Sequence, residues 1–196
     1  MAGWKLRSVI SGGQSGADQA GISAAKFLEY QTGGRCPKGW LTENGAEPWL
    51  REFGLLETSS PGYSSRTYAN VLGSDGTVIF TPAVLTWGTK QERKTIARQE
   101  TTKRAAARLA GRGDIVSDTD RLLEQYGLTP GSLHTARLCL AHHKVMLIDP
   151  KHEEDVRRWI YEEGIQILNV AGSRESGALG IFRWVYDFLV EALVPF

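Results

Sequence analysis

Two clusters of small and polar residues carry most of the chemistry this chain can offer. The first is Ser11-Gly12-Gly13-Gln14-Ser15-Gly16-Ala17-Asp18, directly after the β-branched pair Val9-Ile10. Gly12 and Gly13 let the backbone turn sharply and approach a ligand with no Cβ in the way. Free N–H groups at the start of a helix after such a turn carry partial positive charge, which suits phosphate or another anion. Gln14 and Ser15 add polar contacts, and Asp18 adds a carboxylate. The second cluster is Ala171-Gly172-Ser173-Arg174-Glu175-Ser176-Gly177. Here Gly172 permits close approach and Arg174 neutralises charge. If the two turns face each other, Asp18 and Glu175 make an acid–base pair, or serve ligand hydroxyls or helix caps instead. Neither cluster is GxGxxG or GxxxxGK[ST], and no lysine follows to grip a phosphate, so an NTPase is not expected.

Further candidates lie between the clusters. Gly33-Gly34-Arg35-Cys36-Pro37-Lys38-Gly39 is a glycine-rich loop in which Arg35 and Lys38 supply charge. It is either part of a ligand crevice or a surface loop with solvated cations. Arg66 and Asn70 are four apart on a helix, so they share a face. Together they present a guanidinium and an amide to an anionic or heterocyclic ligand, or form an exposed polar stripe. Cys36 sits beside two cations that would lower a thiol pKa, although a buried structural cysteine is the plainer reading. His134, His142, His143 and His152 show no metal-ligand spacing, so no metal is expected. No Gly-x-Ser-x-Gly elbow supports a serine hydrolase.

The elements that must position these residues alternate. A strand ends at Ile10, and a helix follows with Ala17, Ala20, Ile22, Ala24, Ala25, Phe27 and Leu28 at helical spacing. A very short strand precedes the loop at 33–39. Residues 41–60 read mostly as loop, with one helical turn over Pro48 to Phe53. A helix covers 62–72, and Thr77-Val78-Ile79-Phe80 is a buried strand. After the segment 83–129, a helix runs from Thr129-Pro130-Gly131-Ser132 to His142 with Leu133, Ala136, Leu140 and Ala141 inward. Val145 to Ile148 is a strand, Glu153 to Glu162 a helix, Ile165 to Val170 the last strand, and Leu179 to Leu193 the last helix. Buried-looking strands alternating with helices predict an α/β, doubly wound parallel sheet covered on both faces. Ligands of such sheets sit at the carboxyl edge, where all of these loops open.

The segment 83–129 exceeds ordinary connection lengths and is read as a helical insertion within a single domain over 1–196. Lys90 to Arg112 holds eight Lys or Arg against Glu92 and Glu100, and Asp114 to Tyr126 reads as a second helix. A lid over the ligand and a solvated or subunit-facing decoration are the two readings. Apolar content of 41% and charged content of 23% indicate a globular chain. A net charge of +1 excludes a generally basic nucleic-acid binder. Two cysteines are too few for a disulfide framework. No signal segment and no apolar run of membrane-spanning length appear, so a soluble cytoplasmic protein without membrane partners is expected.

Four ordered motifs resemble one known group. Ile10-Ser11-Gly12-Gly13-Gln14-Ser15-Gly16-Ala17-Asp18 resembles SGGQTGxD, and Gly33 to Gly39 resembles GGWCPKG. Tyr63, Arg66, Thr67, Asn70 and Ser74-Asp75-Gly76-Thr77 resemble YxxRTxxNVxxSDGT. Leu168 to Ser176 resembles LNVAGPRES. The group is the putative molybdenum carrier family, a YpsA-related branch of the SLOG superfamily of Rossmann-like nucleotide-binding proteins. The resemblance implies a Rossmann-like fold, usually homo-oligomeric, that binds a nucleotide-like or pterin-phosphate ligand. It assigns binding roles to Gly12, Gly13, Gln14, Ser15, Asp18, Lys38, Arg66, Asn70, Arg174 and Glu175; Gly131, Ser132 and Gly172 complete the candidate site. The implied function is a small-molecule binding protein, with the molybdenum cofactor as the named ligand. The alternatives are a receptor or sequestering protein for nucleotide-derived signals such as ADP-ribose derivatives, and a nucleotide or nucleoside hydrolase. The related phosphoribohydrolases carry PGGxGTxxE. In that register this chain has Ser132, His134 and Leu138 at the second glycine, the third glycine and the catalytic glutamate, which disfavours their chemistry.

Overall fold

The computed structural model describes residues 4–86 and 126–195. Six strands form one parallel sheet: β1 (Ser8–Ser11), β2 (Gln31–Cys36), β5 (Leu55–Glu57), β6 (Gly76–Phe80), β7 (Val145–Ile148) and β8 (Ile167–Gly172), in the order β5-β2-β1-β8-β6-β7. The strand that comes last in the chain therefore lies at the centre, paired with β1 through Ser8–Ile167 and with β6 through Gly76–Leu168. Counted from β8, three strands step outward one way and two the other, which is a doubly wound sheet.

Helices cover both faces, as the sequence pattern predicts. On one face lie α1 (Ala17–Phe27), α4 (Glu153–Glu163) and α5 (Ile181–Ala192), packed on Val9, Val78, Phe80, Leu168 and Val170. The ring of Phe80 meets those of Trp184 and Phe188 edge-on, with centroids 6.1 and 5.8 Å apart; each such pair adds about 0.5–1.5 kcal/mol to simple burial. On the other face α2 (Tyr63–Leu72) and α3 (Pro130–Ala141) cover Ile79, Met146 and Ile148. Gly21 lets α1 lie directly on β8, because a Cβ there would come within 2.6 Å of Val170.

Several boundaries differ from expectation. The second strand is longer than expected and runs through the glycines to Cys36; Gly34 has φ 122° and lies against the Ser11 backbone. The stretch 41–60 is not mostly loop. It forms a small hairpin, β3 (Leu41–Thr42) with β4 (Gly45–Ala46), then a 3-10 turn over Pro48–Phe53 and the edge strand β5. The last strand starts two residues late, because the Gln166 and Ile167 N–H groups are taken by the Asp75 carboxylate at 2.9 Å. Phe27 and Ala141 face outward, and Phe27 packs edge-on to Tyr186. The expected helices of the insertion lie outside the described residues, apart from a 3-10 turn over Pro82–Thr86 and the segment from Tyr126.

Candidate functional site

The parallel register of β1 and β8 brings the two glycine-rich loops side by side at the carboxyl edge. Gly16 joins them. Its φ 77°, ψ −128° conformation is open to glycine, and a Cβ would come within 2.5 Å of the Ser173 carbonyl. The Ala17 N–H donates to that carbonyl at 3.1 Å, and the Glu175 N–H donates to Ser15 Oγ at 3.2 Å.

Above Gly12 lies the guanidinium of Arg66, so close that a Cβ would overlap Nη1 at 1.4 Å. Arg66 Nη1 donates to Asp18 Oδ2 at 2.7 Å, and the Gln14 N–H donates to the same oxygen at 3.4 Å. Burial pushes the Asp18 carboxyl above its ordinary range, and the Arg66 charge and hydrogen bond oppose that shift. Arg66 and Arg174 both lean on the Tyr63 ring, with Cζ at 5.7 and 4.8 Å from its centroid. Arg174 makes no ion pair within 4 Å among the described residues. Two guanidiniums therefore meet at one aromatic ring, and Asp18 is the carboxylate paired with Arg66.

Ser15 and Gly16 also line a cavity of about 390 Å³, together with Glu43, Ser176, Leu179 and Phe182. Glu43, at the turn of the β3–β4 hairpin, accepts hydrogen bonds from the Ser15 and Ser176 hydroxyls and from the Ser176 N–H at 3.1 Å. Partial burial raises its pKa, but those bonds and the nearby Arg174 outweigh it and hold the carboxyl below its usual range.

The candidate residues divide. Gly12 and Asp18 meet Arg66, Gln14 meets Asp18, Ser15 meets the Glu175 N–H, and Arg174 shares the Tyr63 ring with Arg66. Gly13 faces Leu50 and Leu55, and Gly172 lets β8 approach Phe80 and Ala17, so both serve packing. The Asn70 amide is tied at both ends to Arg35, accepting its N–H at 2.8 Å and donating to its carbonyl at 3.0 Å. Glu175 turns into α5 and accepts the N–H groups of Gly180 and Phe182 at 2.5 and 2.9 Å, the helix-capping use. Lys38 is exposed. Gly131 and Ser132 start α3, where the Thr129 hydroxyl accepts the Ser132 N–H at 3.4 Å and donates to Ser132 Oγ at 3.1 Å. No hydrogen bond among the described residues joins them to Arg66 or Arg174. Burial pushes the Cys36 thiol up to about 11, with Glu57 adding to the shift, which suits a structural cysteine. His152, Glu153 and Glu154 bring one ligand atom each within 4.8 Å of one another beyond the β7 edge, a grouping the spacing argument passed over.

Sequence reasoning missed Glu43 and Ser176 and assigned Tyr63 no role. Asn44-Gly45 reads in sequence only as loop, and contacts across 28 and 133 residues leave no local pattern.

The sheet and its helices define a Rossmann-like α/β protein with two glycine-rich loops at its carboxyl edge. The chain belongs to the circularly permutated YpsA SLOG family, whose model matches residues 9–110 and 99–193; a central strand contributed by the end of the chain is what such a permutation produces. A crystal structure of a "putative molybdenum carrier protein" from Syntrophus aciditrophicus SB is similar, at 26% identity and TM-score 0.69 over 98% of each chain. No curated protein matches the chain. No helix among the described residues is long and apolar enough to cross a membrane.

Proposed function

We propose that the chain binds a phosphate-bearing small molecule between the loops that follow β1 and β8. The observation that carries this reading is the convergence of Arg66 and Arg174 on Tyr63 beside Gly12. Arginine forks match phosphate oxygens in pairs, and among the described residues the second guanidinium has no carboxylate within 4 Å. Gln14 Nε2 supports the reading as a buried donor that lacks an acceptor, which a ligand oxygen would supply.

The named candidate is the molybdenum cofactor, carried as cargo; the family and the name of the similar crystal structure support it. These residues fit its phosphate, through Arg66, Arg174 and Gln14. They offer the metal no thiolate, since Cys36 is buried and its Sγ lies 3.7 Å from the Leu56 carbonyl. The metal would be held through its organic ligand. Binding is favoured over hydrolysis because both carboxylates of the acid–base reading are committed, Asp18 to Arg66 and Glu175 to α5. A homo-oligomer belongs to the same reading and is checked by light scattering.

Thermal shift with molybdopterin, molybdate, ADP-ribose derivatives and nucleoside monophosphates tests the proposal. A phosphate-bearing ligand at a hundred times its Kd should stabilise the protein by about 2.7 kcal/mol, and Arg174→Ala should reduce that gain. If nothing in this panel stabilises the wild type, the proposal fails.

A further inference from the structure

The β3–β4 hairpin puts a carboxylate where the ligand's anion would belong. Glu43 Oε1 accepts the Ser15 hydroxyl and the Ser176 N–H, and Oε2 accepts the Ser176 hydroxyl. The donors thus come from both glycine-rich loops, and Arg174 adds favourable charge. A phosphoryl oxygen needs the same set: hydroxyls, a backbone N–H and a nearby guanidinium. A second feature lies next to it. Gln14 is 4% exposed, and its Oε1 accepts the N–H groups of Ser15 and Glu43 at 3.0 and 2.8 Å. The other end of the amide, Nε2, is buried with no acceptor among the described residues.

We infer that Ser15, Ser176 and Gln14 form an anion seat in which Glu43 is a tethered stand-in, so that a ligand's phosphoryl group enters by displacing the hairpin of residues 41–46. The inference rests on the binding reading above and names the atoms that take the anion and the group that must leave first. Exchange is required because a phosphate added beside an ionised Glu43 would set two negative groups against each other. The hairpin is suited to move. It is two residues per strand, paired through Leu41–Ala46 and Thr42–Gly45, and such a ribbon has little stability alone. Beside Glu43, its ties to the body include Gln19, which donates to the Glu47 carboxylate at 2.7 Å.

Titration calorimetry of inorganic phosphate at pH 7 tests this with wild type, Glu43→Gln, Glu43→Ala and Arg174→Ala. A hairpin closed about nine-tenths of the time weakens apparent affinity about tenfold. Both Glu43 variants should therefore bind phosphate about tenfold more tightly than wild type. Added phosphate should also speed hydrogen exchange at residues 41–46 of the wild type. If wild type binds in an Arg174-dependent way and the Glu43 variants bind equally or more weakly, the seat inference is overturned while the binding reading stands. If no protein binds phosphate, the seat inference is overturned, and the binding reading is judged by the ligand panel above.

Discussion

Gly12→Ala should expel Arg66 from the crevice without altering any charge. Gly12 does not have a positive φ, so alanine fits its backbone. The new Cβ would sit 1.4 Å from Arg66 Nη1, 2.3 Å from Cζ and 2.8 Å from Cδ. These belong to a flexible side chain, which can swing outward while the strand stays in place. What is lost is the 2.7 Å contact with Asp18, whose side chain is only 3% exposed. Removing one partner of a buried ion pair costs about 3–5 kcal/mol, less here because Asp18 can take up a proton. A cost of about 3 kcal/mol at pH 7 is expected, within the stability of an ordinary domain. The sign with pH follows from Asp18. Burial raises its folded pKa, more so without Arg66, so the native state holds the proton longer than the unfolded chain. Stability of the variant is then greatest at low pH and falls as pH rises through the folded pKa. Urea unfolding at pH 5 and pH 7 reads both effects, and the deficit should be smaller at pH 5. Adding Asp18→Asn should recover part of the loss at pH 7. A Gly12→Ala protein within about 0.5 kcal/mol of wild type at both pH values would refute the reasoning.

Asp149 offers a second pH test. Burial pushes its carboxyl up to about 6, against hydrogen bonds from the Thr81 N–H and hydroxyl at 2.7 and 2.6 Å. The folded state therefore holds more protons between about pH 4 and 6, and its contribution falls by about 3 kcal/mol as pH rises across that window. Asp149→Asn, which tolerates the local φ of 45°, should flatten this part of a denaturant-unfolding pH profile; an unchanged slope would count against it. Glu175→Ala should cost about 1–2 kcal/mol by uncapping α5 while phosphate affinity stays within about twofold, and a large loss of affinity would return Glu175 to the ligand site.

Much of the architecture was legible because periodicity and burial agree. Gly76–Phe80 is buried throughout and β7 was found at its observed bounds. β5 was not legible: Leu55-Leu56-Glu57 is too short for a pattern, and it becomes a strand by pairing with β2 at Gly34. Strand order was hidden for a related reason, since nothing local in Ile167–Gly172 says that it lies between β1 and β6. At the site, the turn at Gly12 and the charge of Arg66 and Arg174 could be read from residue type. The direction a side chain takes could not. Asn70 and Glu175 look like ligand readers in sequence, yet one ties α2 to β2 and the other caps α5. Tertiary geometry decides such polar side chains, because backbone N–H and carbonyl groups compete with ligands for them.

Native mass spectrometry of freshly purified protein tests the central claim most directly. The account predicts a population heavier than the chain by the mass of a phosphorylated small molecule, strongly reduced in Arg66→Ala and Arg174→Ala. A retained molecule without phosphorus, or a phosphorylated one held equally well by both arginine variants, would contradict it.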